Sequence, residues 1–129
     1  MIGGPINVFS DSGASVAEVS MMNRYVKLAA LLMDLEGELR ALGWWDSESP
    51  SVDALSSTMP FAADTLEFYQ WVQFIFLPRM YVIVDEQLPF PGACSIAPML
   101  EEYSRISGRQ SVRLQRLFVD IDALLSGAV

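Results

Sequence analysis

Asp34 and Glu38 stand four residues apart, and Arg79 is the one cation inside the most apolar stretch of the chain, Trp71 to Val84. On a helix the two carboxylates share a flank and repel by a few tenths of a kcal/mol unless a cation intervenes. Arg79 is the candidate cation, because a guanidinium buried without a carboxylate partner is costly. Two readings follow: an ion pair among Arg79, Asp34 and Glu38 that fixes helix register, placed first, or an anion site in which Arg79 holds a small anion or a partner's carboxylate. Acid–base catalysis needs more than this trio. Histidine is absent and cysteine occurs once, at Cys94, so Ser-His-Asp and Cys-His pairs and Cys/His zinc sites cannot be assembled. The Glu-x-x-His pairs of a bundle metal site are missing too. No catalytic residue, metal or cofactor is implied, and Cys94 reads as a small apolar side chain rather than a nucleophile.

Four arginines make the second constellation. Arg105, Arg109, Arg113 and Arg116 are spaced by four, four and three residues, which on an unbroken helix makes one basic ridge, although Gly108 interrupts it. A solvated face paired with acidic neighbours is the first reading; a docking ridge for an acidic protein or an RNA backbone is the second, and it would show salt-sensitive binding. The net charge of -8 opposes broad nucleic-acid binding, since phosphate contacts require basic surface. Trp44, Trp45 and Phe90 lie at loop positions. They read first as lids on the core and second as a candidate interface patch.

The elements that must position these residues are helical. Leu28, Leu31, Leu32, Leu35, Leu39 and Leu42 recur at three- and four-residue spacing, predicting a first helix from about Glu18 or Met22 to Leu42, closed by Gly43. Ser51 caps a short connector through Leu55 and Ser56. Asp64 followed by Glu67 suggests the cap of a central helix apolar on nearly all sides, kinked at Pro78 and resuming through Met80, Val82 and Val84. A strand over Met80 to Val84 is the alternative. Leu88-Pro89-Phe90-Pro91-Gly92 forms a loop; a short helix then starts at Ser95 or Ala97 and ends at Ser107-Gly108. Leu114, Leu117, Phe118, Ile121, Leu124 and Leu125 mark the last helix. The expected fold is all-α: a small bundle of three main helices plus one or two short ones, with residues 1–20 a flexible N-terminal extension and residues 21–129 a single domain.

The stretch Pro60-Phe61-Ala62-Ala63-Asp64-Thr65-Leu66-Glu67-Phe68-Tyr69-Gln70-Trp71-Val72-Gln73-Phe74-Ile75-Phe76-Leu77-Pro78-Arg79-Met80 resembles the signature of the YqcC-like family of small bacterial proteins. Leu88-Pro89, Ile96-Ala97-Pro98-Met99, and Asp34-Leu35-Glu36 with Glu38-Leu39 and Leu42 resemble it as well. The likeness runs from about Arg24 to Leu125. It implies an all-helical bundle with no established activity, for which some members carry the label tRNA pseudouridine synthase C by association with a neighbouring gene. A true pseudouridine synthase resembles a larger α/β protein with a catalytic Asp in a basic cleft.

Apolar residues make up 52% of the chain before glycine is counted, above the roughly 45–50% that includes glycine in typical soluble domains, so part of the surplus is expected to face a partner. The expected role is a non-enzymatic interaction module, self-associating or docking on a bacterial protein, with an accessory role in RNA modification as the alternative. Absence of a membrane-length apolar run and of a secretory leader points to the cytoplasm.

Overall fold

The computed structural model describes residues 16–127; among them no strand occurs. The elements are α1 (Val16–Leu42), α2 (Val52–Leu55), a 3-10 turn (Pro60–Ala62), α3 (Phe68–Trp71), a π-helical segment (Val72–Phe76), α4 (Leu77–Glu86), α5 (Ile96–Ser107) and α6 (Val112–Leu125). Four long rods result, because α3, the π segment and α4 run on as one. The expected all-α bundle is therefore present with one more substantial helix than the sequence suggested, α5. Residues 1–15 of the expected N-terminal extension lie outside the described residues, whereas Val16 to Ser20 are already helical, so α1 starts earlier than the sparse apolar content there predicted.

Leu28, Leu32, Leu35 and Leu39 are fully buried, as the leucine spacing requires. α1 ends in a Schellman motif: Gly43 takes φ 75°, its N–H donates to the Arg40 carbonyl at 3.1 Å and the Trp44 N–H donates to the Leu39 carbonyl at 2.9 Å. Beyond that cap Trp44 enters the core.

Two expected details change. The central helix begins at Glu67, whose carboxylate takes part in a reciprocal cap with Gln70, while Asp64 instead accepts from the Ser57 hydroxyl. Thr65 continues a turn, Leu66 bends and Glu67 is extended, so no helix starts directly after Asp64 for it to cap. The interruption near Pro78 falls one turn upstream, where the Leu77 N–H reaches the Val72 carbonyl in a π bond. A proline removes a donor and crowds the turn before it, and a widened turn accommodates both. Met80 to Val84 is helical, not extended.

α1 packs against α4 and α6, and α6 against α5. α1 and α6 are antiparallel: the Arg24 guanidinium donates to the Leu124 carbonyl at 2.7 Å at one end, and the Ser111 hydroxyl donates to Glu38 at 2.9 Å at the other. Phe118 lies at the centre, fully buried, with Phe68 and Phe76 edge-on or tilted at 5.6 and 6.1 Å. Each such buried ring or leucine contributes about 1.5–3 kcal/mol by leaving water.

Candidate functional site

The trio proposed from spacing does not assemble. Arg79 is exposed and makes no ion pair among the described residues. With Val82 and Glu86, it recurs at three- and four-residue spacing on an outer stripe of α4 that also bears Asp85. The central rod therefore has a solvent face after all, and Arg79 needs no buried partner. Asp34 is exposed as well. Glu38 is the one member that is engaged, accepting from Ser111 and pairing with Arg113 at 3.5 Å, so it ties α1 to the start of α6.

The candidate interface of aromatics is likewise absorbed by the fold. Trp44 is buried, with Tyr69 and Tyr103 at 6.4 Å. Trp45 packs on the core beneath Arg40, whose guanidinium lies 4.3 Å from its ring. Phe90 meets Tyr25 edge-on at 5.2 Å and carries Arg24 over its face at 4.5 Å. Trp44 is buried and Trp45 and Phe90 are partly buried against the core, the lid arrangement placed first from the sequence, and the loops that carry them are tied down by polar bonds. Buried Gln73, unflagged in the sequence, holds one loop by donating to the Asp46 carbonyl and accepting from the Asp46 N–H, both at 2.8 Å. The Tyr25 hydroxyl holds the other, donating to the Leu88 carbonyl at 2.5 Å.

The basic ridge is broken up. Gly108 ends α5 at φ 78°, so Arg105 sits on α5, Arg109 in the connection, and Arg113 and Arg116 on α6. Arg105 pairs with Glu102, Arg109 lies 5.4 Å from the Tyr69 ring, and Arg113 pairs with Glu38. Arg116 alone of the four has no such partner among the described residues.

Carboxylates and hydroxyls elsewhere are also committed to holding the bundle. Asp122 accepts from the N–H groups of Ile96 and Ala97 at 3.0 and 2.8 Å, capping α5 from α6. It also keeps the Cys94 thiol protonated: burial first, then the Asp122 charge, push that group up to about 11. Tyr81 donates to Glu36 at 2.8 Å, which holds the Glu36 carboxyl below its ordinary range with help from Arg40. Burial and Glu36 raise the Tyr81 phenol to about 12, and burial and Glu67 do the same for Tyr103.

What the fold leaves uncommitted is apolar surface. α1 carries leucines on its inner side, yet Val26 and Met33 are 68% and 73% exposed on the outer side, beside Ala30 and Gly37. Val26, Ala30, Met33 and Gly37 recur at three- and four-residue spacing, so they form one stripe. Next to it a cleft of about 340 Å³ runs between α1 and α6, floored by Ala30, Leu31, Ala123 and Leu124 and rimmed by Lys27 and Asp120. The expected signal was there in the sequence as an excess of apolar residues; its location was not. No helix among the described residues is long and apolar enough to cross a membrane.

Residues 27–124 match the family DUF446, described as tRNA pseudouridine synthase C. The chain is 35% identical over 80 residues to the uncharacterized protein YqcC of Escherichia coli (strain K12), covering 62% of this chain and 73% of that one. It is also 35% identical over 89 residues to tRNA pseudouridine synthase C of Pectobacterium carotovorum subsp. carotovorum; this covers 69% of this chain but only 23% of that protein. The solution NMR structure of YqcC from E. coli superposes with a TM-score of 0.71 at 29% identity, over 82% of this chain and 91% of that one.

Proposed function

We propose that this chain, which belongs to the DUF446 family, is a non-enzymatic helical interaction module of the cytoplasm whose contact surface is the outer stripe of α1 with the neighbouring rim of α6. The observation that carries the reading is the exposure of Val26 and Met33 on a helix whose opposite side is fully buried. A surface helix that only needs to pack once keeps its outer side polar. Large side chains left in water at 68% and 73% exposure gain by being covered. The structural employment of Asp46, Asp122, Glu36, Glu38 and Glu67 supports a role without turnover, because each is already held by a donor of the same fold.

A second reading rests on the Pectobacterium relative, in which the matched segment is 23% of a longer protein bearing the synthase name. A module that accompanies a catalytic portion there would serve here as an accessory to a separate synthase. The purified chain is then expected to produce no uridine isomerisation in tRNA on its own.

One variant tests the surface in both readings. Val26→Glu with Met33→Glu leaves the core untouched. It is expected to abolish both self-association, followed by light scattering, and co-elution with a purified tRNA pseudouridine synthase C where the wild-type chain shows it. A doubly substituted chain that keeps every association of the wild type would end the assignment of α1 as the contact surface.

A further inference from the structure

The charges bordering the α1 stripe show which occupant fits it. Lys27 and Asp34 are seven residues apart, two turns, and so lie on the same flank of α1. Arg116 and Asp120 are one turn apart on α6 and share its outer flank. All four are exposed and form no ion pair among the described residues. The midpoint of Lys27 and Asp34 falls between Ala30 and Leu31, and the midpoint of Arg116 and Asp120 falls on Phe118. Counted along the two helices, both points fall near the middle of the span between the Arg24–Leu124 contact and the Glu38–Arg113 pair, which mark the two ends of the antiparallel α1/α6 layer.

Both helices therefore carry a positive and a negative charge at equal distances either side of one level. A two-fold axis crossing α1 and α6 at right angles there brings Lys27 over Asp34 of a second copy and Arg116 over its Asp120, each pair made twice. Closed cyclic pairing of this kind uses one patch on both copies, and it requires such self-complementarity. A heterologous partner has no reason to find the same balanced pattern on two helices.

Resting on the reading of α1 as the contact surface, we propose that the occupant is a second copy of this chain, docked antiparallel, α1 on α1 and α6 on α6, about a two-fold axis at Ala30. Ala30 and Gly37 allow the two α1 backbones to approach closely, and Val26 and Met33 of each copy cover the other's stripe. The charge pairs set the register and exclude the parallel arrangement, in which Lys27 would meet Lys27 and Asp34 would meet Asp34.

Sedimentation equilibrium with charge-reversed variants tests this geometry. Lys27→Glu alone sets the introduced carboxylate against Asp34 of the second copy, and Asp34→Lys alone sets the introduced ammonium against Lys27; each is expected to weaken self-association roughly tenfold. An equimolar mixture of the two variants restores a dimer, since the two introduced groups then face each other with opposite charge and the native Asp34 of one chain meets the native Lys27 of the other. Both substitutions in one chain recover the wild-type constant. A wild-type chain that stays monomeric from micromolar to hundreds of micromolar overturns the second copy. So does a mixture that associates no better than the separate variants. Loss of synthase binding by Val26→Glu with Met33→Glu in a monomeric chain would sink the dimer while leaving the contact surface standing. A monomer in which that binding survives sinks both.

Discussion

α6 and α1 bury comparable leucine stripes and differ on their other sides. α6 turns Arg113, Arg116 and Asp120 to solvent with Val112 and Val119 interspersed, and commits its polar groups to neighbours: Asp122 caps α5, and the Gln115 amide donates to the Ala97 carbonyl at 2.8 Å. α1 keeps Val26, Ala30, Met33 and Gly37 in a row outside, while its polar side chains Glu36, Glu38 and Arg40 stand at the edges of the stripe or against the bundle. Exposed apolar side chains also occur on other elements, Val52, Ile106 and Val112 among them, but on α1 they align in one row, and the bundle is satisfied without that row.

Substitutions at the core, at the polar ties and on the outer stripe should separate those roles. Phe118→Ala or Leu32→Ala removes a fully buried side chain from the inner side and is expected to cost about 3–5 kcal/mol, read by denaturant unfolding. Asp122→Ala leaves the first N–H groups of α5 without their cap and should cost roughly 1–2 kcal/mol in the same measurement, with faster amide exchange at Ile96 and Ala97. Gln73→Leu, similar in size but unable to bond Asp46, should cost roughly 1–3 kcal/mol and increase acrylamide quenching of Trp44 and Trp45. On the outer stripe, Val26→Glu with Met33→Glu should change monomer stability by no more than about 0.5 kcal/mol per site while abolishing association. An equal loss of stability on both sides of α1 would erase the distinction between them.

Titration separates the outer stripe from the polar ties, because the tyrosine–carboxylate bonds, Tyr81 to Glu36 and Tyr103 to Glu67, lie away from that stripe. Tyr81 and Tyr103 are raised to about 12, so the folded chain holds phenolic protons that the unfolded chain releases from about pH 10. Their contribution is complete below pH 10 and is lost as pH rises through 12. Tyr81→Phe should flatten that decline. Glu36 is lowered, so its contribution is present above the ordinary carboxylate range and disappears as pH falls through its folded value.

The leucine stripes of α1 and α6 were legible because a 3.6-residue period can be counted, and the closures at Gly43 and Gly108 because a left-handed residue favours glycine. Asp122 was not legible as a cap, since its partners lie 25 and 26 residues away in sequence. Gln73 carries no signal in the sequence, where it sits inside an apolar run; only the arrival of the Asp46 backbone explains a polar group buried there. Arg79 was misplaced for a related reason: apolar content suggested a rod buried all round, whereas the spacing of Arg79, Val82 and Glu86 already traced a solvent side. The outer stripe of α1 was written in the sequence at Val26, Ala30 and Met33, but it became visible only once the inner leucines had taken the core.

Hydroxyl-radical footprinting at rising chain concentration asks whether the α1 stripe is covered when copies meet, because methionines report from both kinds of surface. Met33 on the α1 stripe and Met59 before the 3-10 turn are both exposed in the single chain. Oxidation of Met33 is expected to fall as concentration rises while that of Met59 stays constant. Equal reactivity of Met33 at every concentration, or protection at Met59 instead, would contradict the assignment of that stripe as the contact surface.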